Sequence, residues 1–238
     1  MIYAIIGPTG VGKTKLSIML AKKLKAEIIN CDSMQIYQEL NIGTAKITEE
    51  EKEGIIHHLL NIKKITEDYS VFDYQKEGRK IIDKLQKENK NIIVVGGTGL
   101  YLKALLYNYD FHSDDKKGHE KVYPSKIVGL TRDRKILYEN IDKRVDLMIQ
   151  DGLIEEVKAL YDKKINTRAI NTAIGYKELY KYFNGECLLD EAINKIKQAS
   201  RNYAKRQYTF FNNQFDDITW YNIDEISFEN IIEDITKE

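Results

Sequence analysis

The most constraining feature of the chain is a glycine-rich segment near its start, GPTGVGKT over residues 7–14. It fits the phosphate-binding pattern G-x-x-x-x-G-K-[ST] at every fixed position. A short apolar run, 2–6, precedes it, and an amphipathic stretch, 15–24, follows it. The pattern therefore lies between a predicted strand and a predicted helix, which is the context that a phosphate-binding loop requires. We predict a site for a diphosphate or triphosphate.

Each part of this loop has its own predicted role. The glycines allow successive backbone N–H groups to point inward at phosphate oxygens, beside the positive end of the helix dipole. Lys13 supplies a mobile cation, and Thr14 supplies a hydroxyl ligand for Mg²⁺. The predicted phosphate-binding residues of the loop are Gly7, Pro8, Thr9, Gly10, Val11, Gly12, Lys13 and Thr14.

The order of apolar runs indicates the fold class. Strand-like runs at 2–6, 27–30 and 91–95 alternate with helical stretches at 15–25 and 73–88. Such alternation is typical of a parallel sheet with helices on its faces. We therefore predict an α/β protein with a parallel sheet of the P-loop NTPase type, flanked by helices.

The second half of the chain completes this prediction. A further strand is expected near 127–130, and apolar residues at helical spacing predict helices over 134–161 and 188–211 that pack on the sheet. Residues 110–126 are polar and almost free of apolar periodicity, so we predict a linker or exposed loop there. The length suits one domain over residues 1–238.

Charge and composition limit the classes of function. The chain carries 37 basic and 37 acidic residues, but residues 116–210 have a net charge of +7 and residues 211–238 a net charge of −7. Six of the seven arginines lie in the basic segment, where they suit phosphate contacts. There is no long apolar run for a membrane span, and the first strand begins at residue 2, so we expect a cytoplasmic protein without a leader. Cys31 and Cys187 form no metal-binding pattern, and we predict two buried thiols.

A carboxylate expected in NTP hydrolases is missing. Those enzymes hold their metal with an Asp that closes an apolar strand, but here the strand 92–95 runs into Gly96-Gly97-Thr98-Gly99. Asp83 lies within a predicted helix. Asp32 follows the strand 27–30 and should stand at the carboxyl edge of the sheet, beside the phosphate-binding loop. A carboxylate at that position can orient a substrate or accept its proton.

With these residues in view, the chain resembles the tRNA dimethylallyltransferase family. The motifs that carry the resemblance occur in the family's order and span most of the chain: 7–14, 32–37 with 43–46, 57–59, 69–74, 96–101, then Arg144-Val145 with Met148 and Gly152-Leu153, 173–178 and 203–207. The family transfers a dimethylallyl group from dimethylallyl diphosphate to an adenosine in the anticodon loop of tRNA. This chemistry needs no nucleotide hydrolysis, which agrees with the missing carboxylate.

The resemblance implies roles for particular residues. Asp32 is the general base for the exocyclic amine of the adenine, which is flipped into the pocket. Thr98 lies where donor and base meet, and the metal is Mg²⁺ on Thr14. Arg134 and Arg144 are candidates for contact with the diphosphate or the tRNA backbone, and we assign them to the diphosphate. The tRNA-binding residues are predicted to be Asp32, Ser33, Met34, Gln35, Thr98, Lys205 and Arg206.

One departure from the family keeps alternatives open. Relatives usually carry a long helical insertion that clasps the anticodon stem-loop, and only the short polar stretch 110–126 stands in its place here. An adenylate-type isopentenyltransferase, which modifies free AMP, ADP or ATP, lacks that insertion and is the main alternative. A small-molecule P-loop kinase and an RNA-binding protein without activity are the others. Nothing in the sequence demands more than a monomer.

Overall fold

The central sheet is parallel throughout. The structure, a computed structural model, describes residues 1–111 and 120–237. Within these residues the sheet has six strands in the order β3-β2-β4-β1-β5-β6. The strands are β1 Ile2–Ile6, β2 Glu27–Asn30, β3 His57–His58, β4 Ile92–Val95, β5 Ser125–Thr131 and β6 Ile218–Asn222. The predicted α/β class is confirmed.

Helices cover both faces of the sheet. All five residues of β1 are buried, as expected for a parallel strand covered on both sides. Helices α2, α3 and the end of α8 pack on one face, and α1, α4 and α9 pack on the other. The helices are α1 Lys13–Leu24, α2 Val71–Lys87, α3 Gly99–Leu106, α4 Arg134–Gln150, α5 Leu153–Asp162, α6 Arg168–Thr172, α7 Tyr176–Phe183, α8 Leu189–Gln214 and α9 Phe228–Thr236.

The predicted helix over 134–161 is wrong in its length, and only its first part, α4, packs on the sheet as predicted. It is broken at Gly152, whose φ of 101° is left-handed, so that α4 ends at Gln150 and α5 starts at Leu153. Helix α5 then packs against α7 in a third apolar cluster, which also takes in Ala192 and Ile196 of α8. We call α5, α6, α7 and the first turns of α8 the helical lobe. The lobe stands beside the sheet and not on its face.

Two strands and one helix were not predicted from the sequence pattern. β3 has two residues, β6 is a half-buried edge strand, and α9 is a short helix that closes one face of the sheet. The predicted linker 110–126 ends too late, because Ser125 and Lys126 already belong to β5. Its residues 112–119 lie outside the described part of the chain. Helix α2 contains Asp83, as predicted. No helix within residues 1–111 and 120–237 has the length and apolarity needed to cross a membrane.

Candidate active site

The phosphate-binding loop follows β1 at the centre of the sheet. Gly7 can only be glycine, because a Cβ there would lie 2.5 Å from the carbonyl oxygen of Leu130 on the neighbouring strand. Gly12 adopts a left-handed φ of 97° and directly precedes α1, which begins at Lys13. The strand, loop and helix predicted from residues 2–24 are therefore present, and the N-terminus of α1 faces the loop.

Lys13 is folded back over its own loop. Its Nζ donates hydrogen bonds to the carbonyl oxygens of Gly7 (2.9 Å) and Pro8 (2.7 Å). Burial, and to a lesser degree the charge of Arg144, lowers the pKa of Lys13 to about 7. At neutral pH the unliganded site therefore holds a partly deprotonated lysine, and an anionic ligand would favour its charged form.

Asp32 is held at the end of β2 by a small polar network. Asn30 donates from Nδ2 to the backbone carbonyl oxygens of Leu59 (2.9 Å) and Asp32 (3.0 Å). The backbone carbonyl oxygen of Asn30 accepts from the buried Tyr74 hydroxyl (3.0 Å). Oδ1 of Asp32 accepts from the backbone N–H of Met34 at 2.9 Å. The carboxylate is therefore fixed in orientation while it faces the cavity beside the loop.

The glycine-rich turn after β4 reaches the same place. Thr98 Oγ1 accepts from the backbone N–H of Ser33 (3.1 Å) and hydrogen-bonds the side chain of Tyr203 on α8. Burial raises the pKa of the Tyr203 hydroxyl, which therefore stays protonated. Thr98 thus links the ends of β2 and β4 to α8, although it does not itself line a described cavity wall.

Gln207 ties the loop to the turn after β4. Its Oε1 accepts from the backbone N–H of Thr9 (2.9 Å), and its Nε2 donates to the carbonyl of Gly97 (3.0 Å). The side chain is buried, so both bonds are shielded from water. Gln207 lies in one of the motifs that carry the family resemblance, but no role was predicted for it. Gln207 lies one helical turn after Tyr203, on the face of α8 that carries the buried Ala204 and Phe211. This spacing was the sequence signal that could have identified it as a buried polar residue near the site.

Arg144 reaches the site from α4. Its Nη1 donates to Thr9 Oγ1 at 3.2 Å, and the carboxylate of Asp32 is close enough to favour its charge. Burial still lowers the pKa of Arg144 below the ordinary arginine value. An anion bound beside the guanidinium would therefore form a strong, charge-assisted interaction with it.

Two cavities meet at these residues. The P-loop chamber, about 350 Å³, is lined by the loop, the strand ends and Gln35. The apolar chamber, about 320 Å³, lies between α4 and the helical lobe and is lined by Ile141, Val145 and Met148 among others. We call the residues common to both walls the junction: Thr9, Asp32, Thr44, Arg144 and Tyr203.

The structure brings most predicted site residues together, but not all. Ser33 and Met34 line the apolar chamber, and Arg206 lines it as well as a surface groove on α8 that contains Lys205. Arg134 stands apart: it lies at the start of α4 against the ring of Tyr138 (5.2 Å) and lines a separate surface cleft. The loop residues that line the P-loop chamber are Thr9, Gly10, Gly12, Lys13 and Thr14, whereas Val11 is buried in the core.

Tyrosine, histidine and cysteine side chains near the site make structural contacts. Tyr176 is fully buried and bonds the carboxylate of Glu156, and Tyr208 bonds Thr131, so both belong to the packed interior. His58 Nε2 lies 2.6 Å from the carboxylate of Glu27, at a distance typical of a structural pair. Cys31 is buried, which raises the pKa of its thiol to about 12, whereas Cys187 is only half-buried on the helical lobe.

Fold and site together define a P-loop α/β protein in which the chamber at the loop adjoins an apolar chamber. A family model described as IPP transferase matches residues 35–125 and 112–214. The chain belongs to this family, and the resemblance seen in its motifs is confirmed. A tRNA dimethylallyltransferase of Bacillus pumilus is 40% identical, with 93% of this chain and 89% of that protein aligned.

Solved structures agree with this assignment. A tRNA isopentenylpyrophosphate transferase of Staphylococcus epidermidis superposes with a TM-score of 0.91 and 34% identity, over 99% of this chain and 97% of the other. The corresponding enzyme of Bacillus halodurans gives a TM-score of 0.89 and 37% identity, over 98% and 93%. These similarities extend across the sheet and the helical lobe.

The alignment with the Bacillus pumilus protein also measures a difference in length. It runs over 285 positions but takes in 93% of the 238 residues of this chain. That share is about 221 residues, so about sixty positions of the alignment have no counterpart here. Over the aligned region the chain is therefore shorter than the Bacillus pumilus protein.

Proposed function

We propose that the protein transfers a dimethylallyl group from dimethylallyl diphosphate to the exocyclic amine of the adenosine 3′ of the anticodon in tRNA, with release of diphosphate. The observation that carries this proposal is the junction, where Asp32 and Arg144 stand between a chamber for phosphates and a chamber for an apolar or planar group. The names of the relatives, which are tRNA-modifying transferases, support the same reaction.

The donor diphosphate fits the P-loop chamber. The loop residues Gly10, Gly12, Lys13 and Thr14 line it together with Arg144. Lys13 would exchange its bonds to Gly7 and Pro8 for bonds to phosphate oxygens. Because these charges are already in place, they stabilise the negative charge that grows on the leaving diphosphate.

The residues present fit a Mg²⁺ ion. No cluster of three carboxylate, histidine or cysteine ligands occurs among the described residues, so the protein does not build a metal cage there. Mg²⁺ commonly binds through one or two protein groups together with substrate phosphates, and Thr14 offers its hydroxyl in the P-loop chamber. When bound, the ion would neutralise charge on the diphosphate.

The acceptor base fits the apolar chamber. Its exocyclic amine would reach the junction, where Asp32 accepts a hydrogen bond from it. The bond between C1 of the dimethylallyl group and the diphosphate oxygen breaks, and a bond between C1 and the amine nitrogen forms. The amine proton passes to the Asp32 carboxylate, and diphosphate leaves with the electron pair of the broken bond. Ser33, Met34 and Gln35 lie beside this path and would hold the base.

The tRNA would approach over α8. Arg206 lines both the apolar chamber and the adjoining surface groove, and Lys205 lies in that groove. Their charges suit the phosphates of an anticodon stem, and the net charge of +7 on residues 116–210 adds to the attraction. We further propose one catalytic domain, with the residues that relatives have in addition missing from the stretch 110–126. A monomer in the cytoplasm that binds no membrane suffices for this function.

The alternatives receive less support. An adenylate-type enzyme would need no basic groove for RNA, yet Lys205 and Arg206 line one that adjoins the apolar chamber, and the relatives are named for tRNA. A kinase of the P-loop class is less favoured because the relatives are named as tRNA-modifying transferases. The strand β4 is followed by Gly96 and Gly97 and not by the metal-binding carboxylate of NTP hydrolases.

Analysis of the nucleosides in a treated tRNA tests the proposal. Unmodified tRNA is incubated with the protein, dimethylallyl diphosphate and Mg²⁺, digested, and separated by liquid chromatography with mass detection. We expect an adenosine that is heavier by one dimethylallyl group. A matched tRNA with guanosine in place of the adenosine 3′ of the anticodon should give none. An unchanged adenosine in the first tRNA would contradict the proposal.

A further inference from the structure

A short turn over residues 41–46 forms one wall of the site. The N–H of Ala45 donates to the carbonyl of Ile42 (2.9 Å), and the N–H of Lys46 donates to the carbonyl of Asn41 (3.0 Å). Ala45 closes the turn with a left-handed φ of 44°. These two bonds use the last N–H groups of the turn and leave the N–H groups of its first residues without partners inside the turn.

Glu156 of α5 satisfies those first N–H groups. Its Oε2 accepts from Asn41 (3.1 Å) and Ile42 (2.9 Å), and its Oε1 accepts from Gly43 (3.2 Å). The same Oε1 also accepts from the hydroxyl of the buried Tyr176. One carboxylate of the helical lobe therefore accepts hydrogen bonds from three successive backbone N–H groups of the 41–46 turn.

The opposite side of the turn is held by a cation. Lys46 is buried, and its Nζ donates to the carbonyl of Tyr37, to Oδ1 of Asn41 (2.9 Å) and to Oδ1 of Asn61 (2.6 Å). The turn thus lies between a negative and a positive group that do not touch each other. Gly43 is pressed onto Tyr176, since a Cβ there would lie 2.5 Å from its ring. Little room remains for the turn to shift.

The turn leads directly into the site. Thr44 is one of the junction residues that line both chambers. Its carbonyl accepts from Nε2 of Gln35 at 3.1 Å, so the turn also fixes a side chain of the P-loop chamber. A displacement of the turn would therefore move Thr44 and Gln35 together, while the phosphate-binding loop keeps its own contacts.

We propose that Glu156 is a positioning residue for the transfer reaction: it holds the 41–46 turn, and through it Thr44 and Gln35, in the geometry that brings donor and acceptor together. This inference rests on the proposed function. Glu156 touches no substrate in this role. Its effect falls on the alignment at the junction, where displacements of about 1 Å can cost 10²-fold in rate, and not on the binding of the diphosphate.

The test compares Glu156→Gln with Glu155→Gln, an exposed neighbour on the same helix. Glutamine keeps the volume but turns an NH₂ group toward N–H donors that need an acceptor. We expect Glu156→Gln to lower kcat by about tenfold or more, with the Kd for dimethylallyl diphosphate within about twofold of the parent value. Amide hydrogen exchange in residues 41–43 should accelerate, while exchange in β1 and β4 stays unchanged. Glu155→Gln should change none of these.

Tyr176→Phe provides a second, milder variant, because it removes one donor and leaves the three N–H bonds. Its kcat should fall by less than that of Glu156→Gln. The inference is overturned if Glu156→Gln keeps full kcat and slow exchange, or if it loses diphosphate affinity and kcat in equal measure. If the proposed function is wrong, the unsubstituted protein will be inactive in the transfer assay. The amide exchange rates of residues 41–43 would then still test whether Glu156 holds the 41–46 turn.

Discussion

The two chambers that meet at the junction are built in different ways. The P-loop chamber lies over the ends of β1, β2 and β4, which are neighbours in one parallel sheet. It is lined by residues of the loop and the start of α1, together with side chains from distant segments such as Arg144 and Gln207. The apolar chamber joins α4, the 41–46 turn and the helical lobe, which lie far apart in sequence. The loop side of the P-loop chamber is thus encoded locally, whereas the apolar chamber depends on tertiary packing.

The difference predicts that changes in the P-loop chamber act on chemistry and changes in the apolar chamber act on acceptor binding. The largest effect should come from Lys13→Ala, with a loss of about 10³ in single-turnover transfer, because it removes a preorganised charge from the leaving group. Lys23→Ala, at the exposed end of the same helix, is the matched control and should leave the rate unchanged. A comparable loss in both variants would contradict the role of Lys13.

Substitution at the junction separates chemistry from binding. Asp32→Asn should lower turnover by about 10², because the amide cannot accept the amine proton, while it can still accept the N–H of Met34. The affinity for tRNA, measured by filter binding, should stay nearly unchanged. An equal loss of affinity and turnover would mean that Asp32 serves acceptor binding and not proton transfer.

The pH dependence of donor binding tests the P-loop chamber alone. Because the pKa of Lys13 is about 7 in the free protein and bound diphosphate raises it, the Kd for dimethylallyl diphosphate should increase as the pH rises above 7. The limit is about tenfold per pH unit. The stability of the free protein should rise as the pH increases from 7 to the ordinary pKa of lysine, because the unfolded chain binds the Lys13 proton over that range and the folded chain does not. Calorimetric titration of Lys13→Met should show a flatter Kd profile, and an unaltered profile would exclude Lys13 as the titrating group.

The smallest effect should come from the apolar chamber. Met148→Ala removes apolar contact from its wall, and we expect the KM for tRNA to rise about threefold, with the donor Kd unchanged. Leu147→Ala, at an exposed position on the same helix, is the control. A larger effect on the donor Kd than on the KM for tRNA would reverse the assignment of the two chambers.

The sequence predicted the locally encoded part of this site and missed the rest for physical reasons. Loop residues such as Lys13 and the strand-end Asp32 follow from patterns of a few residues on adjoining parallel strands. Gln207 and Glu156 act through contacts 198 and 115 residues away in sequence, to Thr9 and Asn41, which no local pattern reveals. Arg134 was assigned to the diphosphate, but it lies at the start of α4 against Tyr138 and does not line the P-loop chamber.

The fold shows the same division. The alternating strands and helices of residues 2–95 were predictable because parallel strands buried on both faces are continuous apolar runs. The helical lobe was not, since the apolar spacing of α4 and α5 is nearly continuous and only the left-handed Gly152 breaks it. The edge strand β6 has the mixed composition of a half-buried strand, so its pattern was too weak to identify.

The central claim is that the junction joins a prenyl donor to an adenosine of tRNA. Its most direct test is a single incubation of the protein with radiolabelled dimethylallyl diphosphate, Mg²⁺, unmodified tRNA and an equal concentration of AMP, followed by separation of the two acceptors. We predict label in tRNA and none in the nucleotide. Label in AMP alone would contradict the account and identify an adenylate-type enzyme in the same fold.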